Sequence, residues 1–83
     1  MSWQSYVNDQ LLGSGQLASA AIVDLSAGSV SAQSSSFPKG ALGVCMAKTS
    51  TMLIIGVYGE QNQPGNAATV VEKLADYLVE NGY

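Results

Sequence analysis

The sequence predicts an α+β domain: an antiparallel β-sheet of about four strands, with an N-terminal and a C-terminal helix packed on one face. Three observations predict it. Apolar residues recur at helical spacing at both ends of the chain. Between them lie two pairs of short β-rich runs, each pair split by a compact turn. The chain has 83 residues, so 1–83 is read as one domain with no second core and no internal repeat.

The first helix is read over residues 2 to 12, with Ser2 as its N-cap. At 100° per residue Trp3, Tyr6, Val7 and Leu11 share one arc, with Gln10 inside it. Gly13-Ser14-Gly15 ends the run. Leu17 to Leu25 reads as a strand, Ser26-Ala27-Gly28 as its turn, and Ser29 to Gln33 as the hairpin partner. The stretch from Gln33 to Gly40 is a loop by composition. Ala41 to Lys48 and Thr51 to Tyr58 make a second hairpin around Thr49-Ser50. Its run Met52-Leu53-Ile54-Ile55 is continuously apolar, the pattern of a strand buried on both faces. Gly59 to Gly65 is the next loop. Asn66 to Glu80 then carries Ala67, Val70, Val71, Leu74, Ala75 and Leu78 on one side, against Thr69, Glu72, Lys73, Asp76 and Glu80 on the other. Asn66 is its candidate cap and Gly82 its candidate stop; Tyr77 sits at the border of the faces, beside Lys73.

Composition narrows the function. Hydrophobic residues make up 47% of the chain and charged residues 11%, which excludes a disordered tail. Three Lys, six acids and no Arg give a net charge of -3, so no nucleic-acid partner is expected. One Cys and no His leave no internal disulfide, no imidazole base and no Cys- or His-based metal site. No enzyme, metal or cofactor is therefore expected. Cys45, mid-strand among apolar neighbours, reads as a small buried hydrophobe. Glu72 and Asp76, one turn apart, are too few for a cation site. Gly13-Ser14-Gly15 lacks the ending of a phosphate loop. No run reaches the ~18 apolar residues of a membrane span. The start has no charged leader, and with a free thiol this points to the cytosol.

Met1-Ser2-Trp3-Gln4-Ser5-Tyr6-Val7-Asn8-Asp9-Gln10-Leu11 closely resembles the opening of profilins of amoebae and other lower eukaryotes. Ala20-Ala21-Ile22-Val23 with Gly28-Ser29-Val30 is similar to the family's first hairpin. The run from Gln63-Pro64-Gly65-Asn66 to Asn81-Gly82-Tyr83 is similar to its ending. The resemblance covers almost the whole chain but not the whole family. The stretch between Phe37-Pro38 and Lys39-Gly40, which in profilins holds middle helices and three strands, is missing.

The resemblance implies a sheet order of second, first, last and penultimate strand, a truncated profilin-like fold with both helices on one face. The connection must then cross three strand spacings, roughly 14 Å. Residues 35 to 40 reach roughly 20 Å when extended. The opposite face, with alternate side chains of the two central runs, is expected to be bare. Self-association through it is an expected consequence.

The resemblance also implies functional surfaces. A proline-rich segment in polyproline II form would lie on Trp3, Tyr6, Tyr77, Leu78 and Tyr83. Such a ligand is already extended, and rings pack on its pyrrolidine faces. Periodicity alone reads Trp3 and Tyr77 as core. One position departs from the family: the groove-flooring Trp that follows the counterpart of Val30 is Ser31 here. An actin-monomer surface is implied at Lys39, Asn62, Gln63, Gly65, Thr69 and Lys73, its larger part lost with the missing centre. Phosphoinositide binding, known for the family, has few cations to rest on. The expected role is regulation of actin assembly in the cytoplasm and cytoskeleton. The alternatives are a small self-associating scaffold and an inactive remnant.

Overall fold

The computed structural model describes residues 3–34 and 41–83. Ser2, the expected first cap, and Lys39, with the connection around it, lie outside the described residues.

The N-terminal helical segment has three parts. α1 (Trp3–Ser5) passes into a π-helix over Tyr6–Leu11, and a 3-10 turn over Leu12–Ser14 closes it. The Leu12 amide reaches back to the Val7 carbonyl, the wide spacing of a π turn. The predicted ordinary helix is corrected here: periodicity located the segment but not its winding. Val7 and Leu11 are fully buried all the same.

Four strands follow: β1 (Ser19–Asp24), β2 (Ser29–Gln33), β3 (Gly43–Lys48) and β4 (Met52–Tyr58). They form one antiparallel sheet in the order β2-β1-β4-β3, as expected. Side chains close both hairpins. Asp24 Oδ1 accepts from the amides of Ser26 and Ala27 at 2.9 and 3.2 Å. Thr49 Oγ1 accepts from the Met52 amide at 2.9 Å.

Helix α2 spans Pro64–Glu80. The N-cap is Gln63, with Pro64 at the first helical position, so the expected cap Asn66 lies inside the first turn. Proline wins because its fixed φ suits the first turn and its missing N–H is not needed there. At the other end Gly82 has φ +90° and stops the helix. The amides of Gly82 and Tyr83 return to the carbonyls of Val79 and Leu78 at 3.1 and 2.9 Å, a Schellman closure. The Tyr83 carbonyl accepts from the amide and hydroxyl of Thr51 at 3.2 and 3.0 Å, tying the chain end to the β3–β4 turn.

Both helical segments cover the same face of the sheet. The core between them holds Val7, Leu11, Ile22, Ile54, Val71, Leu74 and Leu78. At Gly56 helix and sheet approach closely: a Cβ there would meet Val71 Cγ2 at 2.7 Å and Leu17 Cδ2 at 2.8 Å. Val70, expected on the buried side, is only half-buried, as is Cys45, which packs against the core edge.

The opposite face is largely open. Met46 is 64% exposed, Val44 50% and Val30 53%, and Leu53 and Ile55 between them are half-buried. The expectation that Met52 to Ile55 is buried on both faces is thereby corrected. Met52 and Ile54 meet the core, while Leu53 and Ile55 face outward, because the described residues form only one helical layer.

Candidate aromatic groove between the chain ends

The N-terminal segment and α2 run antiparallel and bring their rings into register. Trp3 and Tyr83 meet edge to face with centroids 5.0 Å apart. Trp3 and Tyr6 are tilted at 5.5 Å, and Tyr6 and Tyr77 at 6.2 Å. Tyr77 and Tyr83 remain 48% and 43% exposed, and Trp3 and Tyr6 are half-buried. The strip thus lies at the surface, with Trp3 and Tyr6 packed against the edge of the core and Tyr77 and Tyr83 open to solvent. Leu78 does not join them at the surface. It is fully buried, in the core between helix and sheet. Its place on the inner arc of α2, seven residues after Val71, already pointed inward.

The aromatic strip continues into a cavity of about 250 Å³ lined by Tyr6, Gln10, Lys73, Leu74 and Tyr77. Gln10 and Leu74 were not among the predicted site residues. Helical spacing could have found both, since Gln10 follows Tyr6 by one turn and Leu74 precedes Tyr77 by one. Partial burial raises the Tyr6 phenol above its ordinary value, and the hydrogen-bonded Tyr77 beside it adds to the shift, with Tyr83 contributing less.

The residues expected to meet actin divide. Gln63, Gly65 and Thr69 are exposed at the start of α2. Asn62 is engaged in the fold: its Oδ1 accepts from the Gly59 amide at 3.0 Å and its Nδ2 donates to the Gly15 carbonyl at 3.4 Å. That bridge fastens the loop before α2 to the end of the N-terminal segment. Lys73 lines the cavity beside Tyr77, so it belongs to the edge of the aromatic groove as well. Ser31 is the residue that the β1–β2 register passes over, because Ile22 pairs with Ala32 and Val23 with Val30.

The family's sequence model, described as Profilin, matches residues 1–41 and 38–83 in two pieces. The chain belongs to the profilin family. Profilin-P of Physarum polycephalum is 36% identical over 125 aligned residues, covering all of both chains. Profilin-1B of Acanthamoeba castellanii is 35% identical over 127, again covering both completely. The crystal structure of Acanthamoeba castellanii profilin II superposes with a TM-score of 0.88 at 33% identity, covering 99% of this chain and 100% of that one. An alignment of 125 positions against 83 residues leaves a long gap in this profilin, and the two matched pieces meet where the sequence places the missing segment. Profilins are non-enzymatic regulators of the actin cytoskeleton, and membership carries that general role to this chain.

Proposed function

We propose that this profilin binds proline-rich segments in the groove of Trp3, Tyr6, Tyr77 and Tyr83, and actin monomers weakly through the start of α2. The observation that carries the reading is the register of the rings across the two chain ends. Four amphipathic rings along one strip suit a polyproline II ligand, whose extended form costs little entropy and whose unpaired carbonyls accept from ring N–H and O–H groups. Gln63, Gly65 and Thr69 supply a small polar surface for actin, with Lys39 as its basic companion. A stable interface asks for roughly 800 Å² per partner, more than one helix start offers, which is why weak binding is expected. Phosphoinositide headgroups call for several converging cations, and three lysines in the chain make this ligand the least supported.

Trp3 is the only tryptophan, so its emission reports on the groove alone. A saturable emission change on titrating a polyproline peptide is the expected result, and unchanged emission at every peptide concentration sinks the reading. Actin binding is tested separately by the rate of actin assembly with this protein in excess, where modest slowing is expected.

The open sheet face favours one further reading, self-association. On the edge strand Val44 stands opposite Val57 and Met46 opposite Ile55, with exposed Leu42 just before β3, and Lys48, opposite Leu53, is the one charged residue among the outward positions of β3 and β4. Such a face is a docking surface for a second copy.

A further inference from the structure

The two helical segments make a ladder with three rungs. Trp3 stands opposite Tyr83, Tyr6 opposite Tyr77, and Gln10 and Lys73 share the cavity beyond them. The first two rungs are aromatic. The third is an amide and an ammonium over the buried side chain of Leu74.

We propose that this third rung recognises an acidic residue flanking the proline run, so that the preferred partner is a proline-rich segment with a carboxylate at one end. The inference rests on the groove reading above. Lys73 lies one turn from Tyr77, about 6 Å along the helix axis. A polyproline II ligand advances about 3.1 Å per residue. A carboxylate about two residues beyond the proline on Tyr6 and Tyr77 therefore comes level with the Lys73 ammonium. The charge is available: among the described residues no hydrogen bond or ion pair holds Lys73. Gln10 Nε2 is a second donor on the same rung, and a bound carboxylate has room for both. The nearest acids along the helix, Glu72 and Asp76, are exposed and weaken the local field without pairing with the ammonium. The rung thus adds selectivity to an affinity that the rings supply.

The test compares decaproline peptides carrying Glu or Gln two residues beyond either end, titrated by Trp3 emission at low salt. The Glu peptide is expected to bind about two- to five-fold tighter than its Gln counterpart at one end only, the range of an exposed ion pair. In Lys73→Met the ratio of Glu-peptide to Gln-peptide affinity is expected to fall to about one, whatever happens to the affinity for the Gln peptide itself. High salt removes it in the parent protein. If all peptides bind equally well, the third rung is not a recognition element and the groove stands. An advantage that survives in Lys73→Met overturns the assignment to Lys73. If no peptide binds, the groove reading itself falls, and this inference with it.

Discussion

Trp3 and Tyr83 hold the two ends of the described chain together, edge to face at a centroid separation of 5.0 Å. That geometry sets the positive ring edge against the negative ring face and is worth about 0.5–1.5 kcal/mol beyond area burial. Neither ring places itself. Tyr83 is aimed by the Schellman closure at Gly82, and its carbonyl is held by Thr51 in the β3–β4 turn.

The first prediction tests that chain of support. Gly82→Ala forces an L side chain into a left-handed conformation, at a cost of about 1–2 kcal/mol. Thr51→Val removes the hydroxyl bond to Tyr83 and costs about 0.5–1.5 kcal/mol. Neither substitution touches the indole, yet both are expected to red-shift Trp3 emission and lower the melting temperature. Normal Trp3 emission in both variants breaks the link between helix stop and groove.

Gly56→Ala tests the helix–sheet contact. The added methyl would crowd Val71 and Leu17 inside 3 Å, in a core with little slack. Overpacking of this kind costs about 1–3 kcal/mol. Urea titration should show an earlier midpoint with an unchanged slope.

Much of this was legible beforehand, for physical reasons. Strand alternation and turn chemistry located both hairpins, because Asp24 and Thr49 close their turns locally. The amphipathic stripe located α2 to within two residues at its start. The π winding of Tyr6–Leu11 was not legible, since it alters hydrogen-bond spacing without altering which side chains are apolar. The burial of Leu78 and the internal hydrogen bonds of Asn62 were not legible for a different reason. Likeness to a family says which position matters, not whether its side chain faces a ligand or the protein's own interior. Lys73 and Gln10 became neighbours only once two distant helices were aligned.

Tyr6 supplies a pH prediction. Burial and the neighbouring Tyr77 hydroxyl hold its phenol above the ordinary value of 10.0. A raised value means that the folded state keeps the proton more tightly than the unfolded chain. The stabilising contribution is therefore fully present below about pH 10 and is lost as pH rises through the folded value. Tyr77→Phe should lower the Tyr6 titration, leaving it above the free value because burial is the larger cause. Ultraviolet difference titration of the phenolates reads the shift, and no downward movement in the variant would show that the two hydroxyls do not interact.

The open face predicts association. Met46 pairs with Ile55 across β3 and β4, and Ile55 with Ala21 across β4 and β1, giving an apolar row over three strands. Four strands at about 4.8 Å by about 20 Å of length give roughly 400 Å² of flat face per copy, about half the area of a standard interface, so the association is expected to be weak. Mass in solution is therefore expected to rise with concentration, and Met46→Lys with Val44→Thr should restore the monomer while improving solubility. A strictly monomeric parent at high concentration rejects a sticky face.

Ser31 provides the last test. It occupies the extra position of the β1–β2 bulge, on a strand whose carbonyl at Gln33 accepts from Gln4 Nε2 of the N-terminal segment at 3.0 Å. The bulge relieves this position of cross-strand pairing, so a larger side chain does not break the ladder. Family likeness assigns a tryptophan to this position. Ser31→Trp is thus expected to tighten polyproline binding by about two- to ten-fold, the range of one added aromatic contact. Equal affinity of parent and variant for the same peptide would mean that β2 contributes nothing to the groove. The binding surface would then be confined to the rings of the two helical segments.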